Sequence, residues 1–190
     1  MGNPVADAGQ YLVSTLFGIY ILIIVLRFLL QWVRADFYNP ISQFIVKATN
    51  LPLRYLRKLI PGYGGIDWPS IVLMLGLQMI EISLLSLIGA GRIPSLAGLF
   101  ILSIAELLQL IIYVFFFSII IQIIISWVNP GAYNPATIIL YRLNEPLLQP
   151  ARRLIPPISG LDFSPMVVLI LLQLVIILFI KPLIVLGYSI

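Results

Sequence analysis

The chain has 190 residues, of which 61% are apolar and 9% charged, with a formal net charge of +4 and a mean hydropathy of +1.11. An ordinary soluble domain is roughly 25% charged, so a water-soluble globule is excluded and a bilayer is the solvent this composition fits. Cysteine and histidine are both absent, which removes thiolate nucleophiles, disulfides, Cys/His zinc sites and histidine-held haem or copper.

Met1 to Gln10 carries Asp7 as its one charge and no basic start, so no cleavable signal is expected there. Residues 11–33 then supply a first stretch of the roughly 20 apolar residues that cross a bilayer. Loop 34–68 holds Arg34, Lys47, Arg54, Arg57 and Lys58. A second span is predicted over 69–88, and the short link after it has only Arg92 as a base. The third, 96–127, exceeds the usual length, so it is tilted, projects beyond the lipid, or begins with an interfacial segment. Loop 128–164 carries Arg142, Arg152 and Arg153, and a fourth span occupies 165–186. Bases gather on the cytoplasmic side of membrane proteins. Both long loops are therefore expected in the cytoplasm and both termini outside, in a bacterial inner membrane because no Arg- and Ser-rich leader is present.

The two halves, 1–95 and 96–190, match at a constant offset of 95, which sets Trp127 on Trp32. Tyr38-Asn39-Pro40 falls on Tyr133-Asn134-Pro135, and Arg57-Lys58-Leu59-Ile60-Pro61 on Arg152-Arg153-Leu154-Ile155-Pro156. Gly65-Ile66-Asp67-Trp68 falls on Gly160-Leu161-Asp162-Phe163, and Gln78 on Gln173. Chance likeness of apolar sequence would match Leu and Ile, whereas this match includes Trp, Asn, Pro, Arg, Asp and Gln. The expected fold is all-α: four transmembrane helices built from a duplicated two-span hairpin, with interfacial amphipathic helices. Each unit has two spans, so the copies share one orientation, unlike inverted transporter repeats.

Asn39 and Asn134 are predicted N-caps, with Pro40 and Pro135 in the first helical position. A short helix follows each, amphipathic in the first copy through Ile41, Phe44, Ile45 and Ala48 opposite Gln43, Lys47 and Asn50. A second segment after Pro52 sets Arg54, Arg57 and Lys58 against Leu53, Leu56 and Ile60; its counterpart sets Gln149, Arg152 and Arg153 against apolar residues, with Pro150 delaying its start. Lys47, Arg54, Arg57, Lys58, Arg142, Arg152 and Arg153 are thus candidates to meet anionic lipid or a protein partner; alternatively they only fix topology. Asp67 and Asp162 are expected to cap the spans that follow them, with ion pairs to Arg57 and Arg152 as the alternative.

Two copies of an Asn-Pro, basic pair, Ile-Pro, Gly-x-Asp pattern between paired spans resemble the YggT family, also called YlmG, of bacteria and plastids. The second copy fits more closely; the first departs at Gly62, where the second has Pro157, and at Trp68-Pro69-Ser70. The resemblance implies roles in osmotic stress tolerance, division and nucleoid organisation, or, in plastids, cytochrome cofactor assembly. It brings no catalytic residue, and with neither His nor Cys any haem role would be indirect.

Arg27, Glu81, Glu106 and Lys181 lie within apolar stretches, where ionisable groups are functional candidates by default. Arg27 is about 8 Å from Trp32 and Lys181 is near the outer end, so both are expected to snorkel to an interface. Glu81 is about 18 Å beyond Pro69, close to the midplane; the depth of Glu106 depends on where the third span starts. Gln78 and Gln173, with Gln122 matching Arg27, are expected to form a polar layer inside the bundle, either as plain interhelical hydrogen bonds or as partners of an ion path through Glu81. No catalytic, metal or cofactor residue and no nucleic-acid partner is expected. The sequence points to a non-enzymatic membrane scaffold or assembly factor, possible as a homo-oligomer or with a membrane-protein partner; the alternative is an ion channel or transporter component in osmotic homeostasis.

Overall fold

The computed structural model describes residues 4–129, 131, 133–155 and 162–190. Every regular element in them is a helix: α1 (Pro4–Trp32), α2 (Pro40–Leu59), α3 (Trp68–Ala90), α4 (Leu96–Val128), α5 (Pro135–Leu154), α6 (Ser164–Val175) and α7 (Lys181–Ser189). A π turn, Ile176–Ile180, joins the last two into one crossing. Pro182 follows it, and a proline ring has no room for the carbonyl four residues back, so the helix widens there. Four helices, α1, α3, α4 and the α6–α7 crossing, are long and apolar enough to span a membrane. The 33 residues of α4 run without a break, about 50 Å at 1.5 Å per residue against roughly 30 Å of hydrocarbon, so this helix tilts or projects.

α2 and α5 lie at the end of the bundle where α1 stops and α3 begins, here termed the loop end. The Asn-Pro starts form as the sequence dictates. The Asn39 side chain accepts from the Ile41 amide, and Asn134 accepts from Ala136 and Thr137 while Thr137 reciprocates. The two short segments expected in each loop are instead one 20-residue helix per repeat, running through Pro52 in α2 and through Pro146 and Pro150 in α5. Pro146 and Pro150 are exposed, so the carbonyls they leave unbonded can turn to water, which makes the interruption cheap.

Lipid tails are as apolar as leucine, so close packing rather than hydrophobic transfer holds such a bundle together. The main core joins both repeats: Ile21, Ile24, Val25 and Leu29 of α1 meet Met74 of α3, Leu107 and Phe115 of α4, and Leu143 of α5. The repeats associate head to tail. α3 packs on α4 and α1 touches α5, whereas the reciprocal contacts, α6 on α1 and α4 on α2, do not form among the described residues.

Candidate functional site

The loop end is built from repeat-related side chains. On α2 the buried residues Ser42, Ile45, Thr49 and Leu53 form one stripe toward the bundle. A second stripe, Gln43, Lys47, Asn50, Arg54 and Lys58, is exposed and polar; a third, Ile41, Phe44, Leu51 and Tyr55, is exposed and apolar. The expected apolar face is thereby divided: Ile45 enters the core while Ile41 and Phe44 stay outside. A helix with three such faces suits a position between protein, lipid and water. On α5 the buried stripe continues through Thr137, Asn144 and Leu148, the equivalents of Ser42, Thr49 and Leu53. Ile139, which corresponds to the exposed Phe44, is covered by the first repeat, where it packs with Leu30 and Ile45.

Arg27 does not snorkel to water. It is 94% buried, and its guanidinium donates to Thr49 Oγ1 at 2.7 Å and the Val46 carbonyl at 3.2 Å, with Asp67 Oδ2 at 3.8 Å. α2 lies across the path that snorkelling requires and supplies the acceptors itself. At the equivalent place in the second repeat Asn144 donates to Gln122 at 2.8 Å, and the Ser118 hydroxyl donates to Asn144 at 2.5 Å. Sequence reasoning missed Thr49 and Asn144. Their signal was the offset itself, since Arg27–Thr49 and Gln122–Asn144 are both 22 apart in the chain.

Ion pairs fasten the loops in both copies. Arg57 donates to Asp67 Oδ2 and Arg152 to Asp162 Oδ2, each at 2.9 Å. Asp67 makes no side-chain cap to backbone; its carboxylate accepts from the Ser70 hydroxyl at 2.6 Å. Asp162 both pairs and caps, accepting from the Ser164 amide. Burial pushes the Asp162 carboxyl up, but hydrogen bonds from Arg152 and Ser164 outweigh it and hold it below the ordinary carboxylate range. Its contribution to folding is present above the ordinary pKa of about 3.9 and fades as pH falls through the lower folded value, so this clamp holds at neutral pH.

Of the basic candidates, Arg57 and Arg152 are engaged in these pairs, and Arg152 also lies 3.8 Å from Glu145. Lys47, Arg54, Lys58, Arg142 and Arg153 are exposed. Tyr38 and Tyr133 are exposed too, and Gly65 takes φ 78, a turn that favours glycine. Pro61 is exposed beside that turn; Pro156 and Gly160 lie outside the described residues.

Deeper in the bundle the Gln78 amide donates to Glu106 at 2.8 Å and to Glu81 at 3.2 Å, which levels Glu106 with Gln78 across α3 and α4. Gln173 does not join a layer with them. It is exposed on α6, because head-to-tail packing gives α3 a neighbour in α4 and gives α6 no equivalent one. Lys181 is exposed at the start of α7.

A family model described as CCB3/YggT matches residues 6–88 and again 101–183, which takes in nearly all of α1 to α3 and then most of α4, all of α5 and α6 and the start of α7. The chain belongs to the CCB3/YggT family. It is 47% identical over 169 residues to the uncharacterized protein PA0392 of Pseudomonas aeruginosa, covering 88% of this chain and 86% of that one. It is 39% identical over 166 residues to the uncharacterized protein YggT of Escherichia coli K12, covering 87% and 85%. A Vibrio alginolyticus protein named for its place in the proC 3′ region is 40% identical over 165 residues, covering 86% and 89%. No solved structure matches. Each half matched by the family model contains one amphipathic loop helix between two crossings, so the loop-end arrangement belongs to the repeat unit.

Proposed function

We propose that this family member is a non-enzymatic scaffold or assembly factor of the bacterial inner membrane, with both loops in the cytoplasm and both termini outside. What carries the reading is the pair of loop helices, each fastened to its own crossing by an arginine-aspartate pair. Such fastening holds Lys47, Arg54, Lys58, Arg142 and Arg153 outward on fixed helices, suited to anionic lipid headgroups. Bases near an anionic surface contribute about 1 kcal/mol each. Changing these five to Gln is expected to abolish enrichment of anionic lipid around the purified protein and complementation of a deletion strain under osmotic or division stress. Reporter fusions after Pro61 should still read cytoplasm. Unchanged lipid enrichment with correct topology would refute a lipid-binding role for the loops.

The cluster of buried Gln78 and Glu81 with half-buried Glu106 favours a second reading, a component of an ion path. Under the scaffold reading Glu81→Gln is neutral or slightly stabilising, because an amide is cheaper to desolvate than a carboxylate, and neither protein conducts above empty liposomes. An ion-selective flux that Glu81→Gln abolishes would establish the second reading.

A further inference from the structure

A cavity of about 380 Å³ opens at the loop end between the last turns of α1 and the first turns of α2. Its lining combines three arginines, Arg27, Arg34 and Arg57, with Ser42 and an apolar wall that includes Leu30 and Ile45. Ser42 Oγ has no hydrogen-bond partner, and Arg27 Nε has only Asp67 Oδ2 beside it at 3.8 Å, although both residues are more than nine-tenths buried. Buried donors left unmade are costly and point to a ligand that completes them. The charge balance agrees. Three guanidinium groups line the cavity, and the one carboxylate paired with any of them among the described residues, Asp67, is already shared by Arg57 and Arg27.

The backbone adds a separate observation. The Arg34 amide bonds the Gln31 carbonyl and the Ala35 amide bonds the Leu30 carbonyl, closing α1 with the paired bonds of a Schellman cap. Arg34 takes φ 51 in that cap, a left-handed conformation that glycine adopts freely and arginine rarely does. Strain kept at a site whose side chain lines a cavity suggests that the guanidinium is needed there. In the second repeat the equivalents of Arg27, Arg34 and Ser42 are Gln122, Asn129 and Thr137, and the Thr137 hydroxyl is used in the cap of α5. The first repeat alone holds this set of charges.

We propose that this cavity binds the phosphate ester of an anionic phospholipid headgroup, with Arg27, Arg34 and Arg57 facing its oxygens and Ser42 donating a hydrogen bond. Planar guanidinium forks suit phosphate oxygens, the volume suits a headgroup rather than a single small ion, and the apolar wall suits the glycerol and first acyl carbons. The assignment rests on the reading of the loop end as membrane-facing. It predicts one firmly held lipid per chain, distinct from the diffuse enrichment caused by the exposed bases.

The test uses the full chain in nanodiscs of phosphatidylcholine with a minor share of phosphatidylglycerol, and reads the lipid retained per chain by native mass spectrometry. Wild type is expected to retain one phosphatidylglycerol. Arg34→Gln and Arg34→Gly should each lower that retention about tenfold, and Arg34→Gly guards against misfolding because glycine relieves the φ strain. Ser42→Ala is expected to lower it less. The five-base Gln variant should lose diffuse enrichment and keep the single bound lipid, so failure of the loop reading and failure of this one are told apart. Soluble glycerol phosphate is the second arm: if it binds in an Arg34-dependent way and phosphatidylglycerol is not retained, the phosphate-ester site stands and its ligand is soluble. Retention that both Arg34 variants leave unchanged, or no binding of either probe, overturns the proposal.

Discussion

Asp67→Asn is expected to destabilise the folded protein by about 3–5 kcal/mol, whereas Asp162→Asn at the matching position costs about 1 kcal/mol or less. The two carboxylates hold equivalent arginines at the same 2.9 Å. They differ in burial: the Asp67 side chain is 3% exposed and the Asp162 side chain 34%. Behind Asp67 lies Arg27, 6% exposed, with Thr49 and the Val46 carbonyl as its neutral acceptors. Removing the carboxylate charge leaves that guanidinium buried without a counter-charge, the costly way to break an ion pair. Asp162 has no buried arginine behind it, since Gln122 stands where the first repeat has Arg27. Unfolding by sodium dodecyl sulfate in mixed micelles, followed by circular dichroism, measures both variants. Adding Arg27→Met to Asp67→Asn should recover much of the loss, because an apolar replacement carries no desolvation penalty. Equal costs at the two aspartates would show that Arg27 does not depend on Asp67.

Gly98→Ala and Gly187→Ala are each expected to cost about 1–3 kcal/mol, by overpacking. A Cβ on Gly98 would stand 2.6 Å from the Gly187 carbonyl oxygen, a backbone atom that cannot turn aside. A Cβ on Gly187 would stand 2.6 Å from Cγ of Leu102, which is fully buried, and 3.2 Å from its backbone nitrogen. α4 and α7 approach this closely because both present glycine, the packing device that membrane helices use in place of a hydrophobic drive. Gly76 has nothing within 4 Å of an added Cβ, so Gly76→Ala is the control and should be neutral or stabilising by up to about 1 kcal/mol. The same unfolding measurement decides; a neutral Gly98→Ala would refute close glycine packing between α4 and α7.

The elements whose causes are local were legible before any tertiary contact was known. Four apolar stretches gave four long helices, because helix formation is the way an isolated segment satisfies its backbone in lipid. Asn39 and Asn134 capped as expected, because a cap needs only the amides two and three residues on. The duplication was legible because Trp, Asn, Pro, Arg and Asp recurred at one offset, which no solvent preference imposes.

Which partner each polar group found was decided by packing. Arg27 sits within snorkelling reach of an interface by its distance from Trp32, yet α2 covers it; sequence spacing gives depth along a helix and says nothing of what lies across its side. Gln78 and Gln173 are the same residue at the same repeat position, yet one is buried against Glu81 and Glu106 while the other is exposed. Identical sequence cannot separate them, because the difference is the neighbour that head-to-tail association supplies to one repeat and withholds from the other. The arginine-lined cavity is likewise a tertiary product, since Arg27, Arg34, Ser42 and Arg57 meet only when α2 folds back over the end of α1. Sequence by itself therefore determined the four long apolar helices, the Asn39 and Asn134 caps and the repeat, all set by chemistry within a few residues or by the solvent. Tertiary structure decided which charges are buried, which of the partners the sequence offered to Asp67 and Asp162 they took, and which groups line a cavity, because that depends on which helix faces cover one another.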